Sequence, residues 1–314
     1  MAQLPPNIYE QQAANKRNTI VVMGTFILFV GFLGFGVDAF ILGSDFPIAT
    51  IIALCVGTGS AFWGLSSGAN AVLGSSSAIP VPADDPKYQQ LRNVVDEMTI
   101  ASGLPKPQLY VIPDPDPNAF ATGKDPEHAC IAVTEGLLQK LNREELQGVI
   151  AHEMSHVRNF DIRMMTVVAA LGGAVMLLSE FGLRSMQFGG GRRKGRGGNL
   201  GPIVFVLWLV AMFLAPLIMR LLSMAVSRQR EYLADASGAE LTRNPSALAE
   251  ALQKIDDAVE PTRSIKKGTA QLCIADPLGR SVNAKEGSFA DLFGTHPPIS
   301  KRIMLLKAMA YQHA

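Results

Sequence analysis

Two histidines four residues apart, with a glutamate directly after the first, concentrate the chemistry of this 314-residue chain in His152-Glu153-Met154-Ser155-His156. Positions i and i+4 share one face of a helix, so His152 and His156 can turn ring nitrogens toward one cation. Glu153 projects beside the pair, where a carboxylate can take the proton from an attacking water. The helix this needs is predicted locally: Asn142 suits an N-cap, Glu145 follows three residues later, and Leu146, Val149 and Ile150 form an apolar stripe.

A cation held by two imidazoles needs a third protein ligand if one position is to stay open for water. Glu231, in Glu231-Tyr-Leu-Ala-Asp235, is the candidate, with Asp235 one turn on accepting a hydrogen bond from the outer nitrogen of a ligating histidine. One zinc ion per chain suits this donor set. A histidine-only set of the metzincin kind is excluded, because Asn159 and Ile162 stand where that pattern requires Gly and His. Amide hydrolysis also develops an oxyanion, and His296 and Arg302, brought together by one turn and one helix, are candidate donors to it. Asn118, Ala119, Phe120 and Ala121 read as a short strand at a sheet edge, where a substrate peptide pairs as an added strand.

The elements around these residues divide into apolar and soluble stretches. Net charge is +1 and charged residues make up 18%, which carries no signal for nucleic acid and directs attention to membrane segments. Residues 19–42 and 47–65 are long and apolar enough to span a bilayer as a hairpin, giving an N-terminal membrane unit over 1–66. Lys16 and Arg17 precede it, while its connection carries Asp38 and Asp45 and no basic residue, which predicts a cytoplasmic N-terminus. Residues 67–161 then form the first part of a soluble unit, 162–222 a second apolar pair around the basic, Gly-rich loop 184–199, and 223–314 the rest. Full crossing by that second pair would place the basic loop outside, against the positive-inside tendency, so a membrane-embedded pair is expected without a fixed depth.

Within the soluble stretches, Ser66 to Pro82 reads as a linker, and Asp85-Pro86 opens a helix that Gly103 closes. Residues 108–112 and 129–133 read as strands, Asn244-Pro245 starts another helix, and Pro261 to Ser288 reads as a loop at the rim of the cleft. The fold class is therefore mainly α with a small β-sheet. Cys55, Cys130 and Cys273 show no paired spacing, consistent with a reducing compartment. A transporter is disfavoured, since the spans carry essentially Asp38 and Arg220 near their ends. A membrane adaptor with a structural zinc is the remaining alternative, and it has little use for Glu153 beside an open coordination position.

Taken together, His152-Glu-Met-Ser-His156, Glu231-Tyr-Leu-Ala-Asp235, Asn118-Ala-Phe-Ala and Thr295-His-Pro-Pro298 resemble the HtpX membrane proteases, relatives of the CAAX prenyl endopeptidases, over nearly the whole chain. The resemblance implies a gluzincin-like zinc protease domain combined with transmembrane helices in the bacterial inner membrane, its active site facing the cytoplasm. It implies polypeptide substrates, misfolded or damaged membrane proteins, degraded under stress. It further implies zinc held by His152, His156 and Glu231, Glu153 as general base and acid, and His296 and Arg302 near the scissile carbonyl. Oligomeric state and cleavage preference are not legible at this level.

Overall fold

The computed structural model describes residues 8–42, 46–169, 171, 230–258, 262–265, 269–275 and 297–312. Two long helices, α1 (Ile8–Gly36) and α2 (Ile48–Ser75), pack as an antiparallel hairpin in which Gly31 faces Leu54 and Gly57 faces Val30. A π-helical turn, Val37–Leu42, ends α1, and there the buried Asp38 carboxylate accepts the amides of Ala49 and Thr50 at 2.9 and 2.8 Å. Those amides open α2 and have no partner within the helix, so Asp38 caps it from across the turn. Two helical segments are long and apolar enough to cross a membrane, Gln12–Ala39, which runs on from α1 into the π-helical turn, and Ile48–Ser75. Ile20, Val21, Leu28, Phe62 and Trp63 are exposed along them, as lipid-facing side chains would be.

Two boundaries differ from the sequence expectation. The stretch from Ser66 is helical as far as Ser75, because Gly57, Ala61, Gly64, Gly68 and Val72 recur at helical spacing on the buried face of α2. Small residues at that spacing let helices approach closely and outweigh the loop-like composition. At the other end α1 begins at Ile8, well before the apolar run, and its polar Asn15 is buried against the soluble domain.

The soluble domain starts with β1 (Ile79–Pro80). A 3-10 turn over Pro86–Tyr88, capped by the Asp85 side chain, then leads into α3 (Gln89–Ser102), which Gly103 closes at φ 67. After β2 (Gln108–Ile112), β3 (Ala119–Thr122) and β4 (Cys130–Thr134) come the short α4 (Glu135–Lys140) and α5 (Arg143–Arg158). Residues 161–169 form α6, residues 230–242 form α7, and α8 (Pro245–Asp256) and α9 (Ile299–Gln312) follow. The sheet order is β1-β2-β4-β3, with β2 and β4 parallel and β3 antiparallel to β4, so β3 is an edge strand.

One face of the sheet buries Ile131 and Val133 against Leu91 and Val95 of α3, Leu146 and Ile150 of α5, Leu248 of α8 and Ile303 of α9. The other face buries Ile112, Phe120 and Cys130 with Val72 and Leu73 from the end of α2 and Met165 of α6. Val167 and Leu171 pack instead with Met23, Phe26 and Val30 of α1, so the described start of the second apolar stretch lies against the first hairpin. The remainder of that pair and the basic loop 184–199 lie outside the described residues.

Candidate metal centre

Helix α5 begins with a full capping box: the Asn142 side chain accepts the Glu145 amide, and the Glu145 carboxylate accepts the Asn142 amide. Its core-facing Leu146, Val149, Ile150 and Val157 leave His152, Glu153 and His156 buried at the junction with α7. Helix α7 can lie this close because of Gly238, where a Cβ would meet the His152 amide nitrogen at 3.0 Å. That contact brings Glu231 and Asp235, one turn apart on α7, against the two imidazoles.

The Nε2 atoms of His152 and His156 face each other at 3.2 Å. Glu231 completes the group, with Oε1 3.5 Å from His156 Nε2 and Oε2 3.8 Å from His152 Nε2. Each of the three residues offers one donor atom within 4.8 Å of the others. A tetrahedral ion with bonds of about 2.0–2.2 Å needs donors roughly 3.3–3.6 Å apart, so the set fits a zinc-sized ion after small movements. Both outer ring nitrogens face acids: Asp235 Oδ1 lies 3.0 Å from His152 Nδ1, and His156 Nδ1 hydrogen-bonds Asp161 Oδ2 at 3.0 Å. A carboxylate there favours the proton on Nδ1 and turns the Nε2 lone pair inward, the tautomer a metal requires.

Glu153 lies beside this group, 1% exposed, and among the described residues neither carboxylate oxygen completes a hydrogen bond. Burial pushes its pKa up, an effect partly offset by His152 and His156, while the amide of the edge residue Ala121 also faces it. A carboxylate so placed gains a proton more readily than an exposed one, as a general base needs.

Arg302 enters from α9 and is fully buried. Its Nε and Nη2 donate to Asp235 Oδ2 and Oδ1 at 2.8 and 2.7 Å, while Nη1 lies 3.3 Å from Glu231 Oε2 and donates to the Ile274 carbonyl at 2.7 Å. Burial alone would raise the Asp235 pKa, but the Arg302 guanidinium together with His152 more than offsets it and holds Asp235 below the usual carboxylate range.

The structure thus brings together His152, Glu153, His156, Glu231, Asp235 and Arg302, with Asn118 to Ala121 along the neighbouring edge. His296 lies outside the described residues. Three further participants were not anticipated. Asp161 returns to His156 because Phe160 adopts φ 59, a left-handed conformation costing about 1–2 kcal/mol, which turns the chain sharply after α5. Asn15 of α1 donates to Asp161 Oδ1 at 2.7 Å and to the Asn159 carbonyl at 2.8 Å. Ile274 lies in the stretch read as a rim, yet residues 272–275 are buried. A carboxylate five residues beyond His156 was the one available signal for Asp161; Asn15 and Ile274 had none. Cys130 is buried on β4 with its thiol pushed up to about 11, and His128 pairs with Asp125, so these two do not act as a thiol and its base.

Comparison with known proteins identifies the family. The profile of peptidase family M48 matches residues 86–310. A protease HtpX homolog of Caldanaerobacter subterraneus subsp. tengcongensis is 44% identical over 304 residues, covering 96% of this chain and 98% of that protein. One from Ligilactobacillus salivarius is 43% identical, covering 96% and 100%. The crystal structure of S. mikatae Ste24p is similar in fold, with a TM-score of 0.50 at 16% identity, over 95% of this chain and 66% of that one.

Proposed function

This chain belongs to peptidase family M48, and we propose that it is an integral membrane zinc endopeptidase that cleaves misfolded or damaged membrane proteins. The observation that carries the reading is the convergence of His152, His156 and Glu231 with the buried Glu153 carboxylate beside them. These three ligands would hold the ion. Zinc there supplies a lowered pKa for water and polarisation of the scissile carbonyl. Glu153 takes the proton from the attacking water and returns it to the leaving amine; its raised pKa suits both transfers. Asp235 and Asp161 hold the imidazole rings in their ligating tautomer. Arg302 fixes Asp235, and His296 and Arg302 act near the scissile carbonyl. The substrate chain pairs along Asn118 to Ala121 at the β3 edge.

The seating of α1 supports a site near the membrane surface on the cytoplasmic side. Gln12 and Asn15 bond the end of α5, so the N-terminal turns of α1 and the protease domain share one side of the bilayer. Lys16 and Arg17 lie in those same turns, and positive charge favours the cytoplasm. From Asn15 to the start of the apolar run is about one helical turn, roughly 6 Å. A polypeptide emerging from the bilayer therefore has a short path to the metal. The proposed domains are the hairpin, with α2 running on to Ser75, the protease segments on either side of the interposed apolar pair 162–222, and that pair itself. We further propose a role in stress-linked quality control of the inner membrane, which the resemblance carried by the site motifs implies.

A structural zinc in a non-proteolytic adaptor would leave the buried, hydrogen-bond-poor Glu153 without a purpose. The test is cleavage of an unfolded membrane protein in nanodiscs by chelated protein, before and after zinc is restored. Zinc-restored cleavage is expected; tight stoichiometric zinc with no cleavage of any unfolded substrate would favour the adaptor.

A further inference from the structure

We propose that residues 273–275 occupy the substrate-pairing edge of β3 as an internal stand-in for polypeptide, and that Asn118, Ala119 and Arg302 form the subsite they fill. The inference deepens the protease reading and rests on it.

The alternation of the edge strand defines which groups are available. Asn118 points its backbone at β4, since the Thr134 amide donates to the Asn118 carbonyl at 2.9 Å. In an antiparallel pair the next residue points the opposite way, so Ala119 and Ala121 direct their backbone groups outward. The Ala121 amide faces Glu153. The Ala119 carbonyl, about 7 Å back along the strand, accepts the Ile274 amide at 2.9 Å. This single backbone hydrogen bond uses the outward carbonyl that an added strand would use, one repeat from the general base.

Two more contacts grip the same short peptide. Arg302 Nη1 donates to the Ile274 carbonyl at 2.7 Å, and the same nitrogen reaches Glu231 Oε2 at 3.3 Å. The Asn118 side-chain amide donates to the Ala275 carbonyl at 3.0 Å. One N–H and two successive carbonyls are thus recognised without reference to side-chain identity, as a site for many polypeptides requires. The Ile274 side chain adds an apolar anchor: it is 1% exposed and packs in the cluster that includes Ala119 and Ala121. A substrate using the subsite must displace residues 273–275, and an aliphatic side chain fits the place that Ile274 leaves.

Ile274→Ala keeps the backbone donor and weakens the anchor, whereas Ile274→Pro removes the donor itself. With zinc-loaded protein and unfolded casein, both should raise kcat/KM by roughly five- to tenfold through a lower KM, the scale of one weakened hydrogen bond or partly lost apolar contact. Zinc stoichiometry should not change. Unchanged or lowered kcat/KM in Ile274→Ala with zinc intact would overturn the proposal. Amide exchange across residues 269–275 in zinc-loaded Glu153→Gln protein gives a readout independent of turnover and of how the proline variant folds. Saturating casein should speed exchange at Ile274 about tenfold or more. Exchange that casein leaves unchanged or slows would also overturn it, even if the parent cleaves casein well; a parent with no zinc-dependent cleavage would instead sink the protease reading.

Discussion

Arg302 and Asp235 form a fully buried, two-pronged pair, Nε to Oδ2 at 2.8 Å and Nη2 to Oδ1 at 2.7 Å, and Asp235 in turn lies 3.0 Å from His152 Nδ1. The C-terminal helix is thereby tied to the metal site through one carboxylate. Arg302→Leu leaves that carboxylate buried without its counter-charge, at a cost of about 3–5 kcal/mol. Arg302→Lys keeps the charge and loses the fork, recovering only part of it. Thermal unfolding with zinc titration reads both effects; a leucine variant with parental stability and zinc affinity would contradict the role.

His156 is held by a second chain of contacts that begins on the membrane hairpin. Asp161→Asn should weaken zinc binding about 10- to 100-fold, as loss of a partner to a ligating histidine generally does. Asn15→Leu, which removes one donor to Asp161, should shift it in the same direction by less. Competition with a chromophoric chelator measures both. Parental affinity in the Asp161 variant would mean that the 3.0 Å contact does not orient the ring.

The pH dependence of metal binding has a definite sign. Burial alone would lower the His156 pKa, but Asp161 and Glu231 more than offset it and hold it up at about 10. At neutral pH the ring therefore carries a proton that a metal must displace. Zinc binding should release close to one proton, and apparent affinity should rise up to about tenfold per pH unit from neutrality upward. Calorimetry in buffers of different ionisation enthalpy counts the protons; buffer-independent heats would contradict the assignment.

Gly238 sets the approach of α7 to α5. In Gly238→Ala the new Cβ would stand 3.0 Å from the His152 nitrogen and 3.2 Å from its Cα, closer than most Cβ contacts to backbone. Relieving it takes a shift of α7 by a few tenths of an ångström, at a cost of about 1 kcal/mol, and Glu231 moves with α7. Lower stability and lower zinc affinity are expected together. A variant that loses neither would show that the helix contact yields without cost.

How much of this could be read from sequence depended on whether a contact was local. The α5 helix was legible because its capping box and apolar stripe lie within one short stretch. Glu231 and Asp235 were legible as a pair one turn apart, once a third ligand was needed. Asp161 was not, since it reaches His156 through the left-handed turn at Phe160 rather than through helical periodicity. Asn15 meets Asp161 across 146 residues, and no local pattern encodes such a meeting. The burial of residues 272–275 was hidden for another reason: the surrounding Gly, Lys and Ser mark a loop, and composition is silent on what a loop covers. The helical continuation of α2 to Ser75 was masked by the same kind of composition, although its small residues recur at helical spacing.

The central claim, that Glu153 is the base at a zinc centre, is tested most directly by Glu153→Gln in detergent-purified, zinc-reconstituted protein acting on casein. The amide has nearly the shape of the carboxylate and cannot take up the proton, so zinc should stay at one per chain while turnover falls by about two to four orders of magnitude. A variant that binds zinc and cleaves casein at the parental rate would contradict the account.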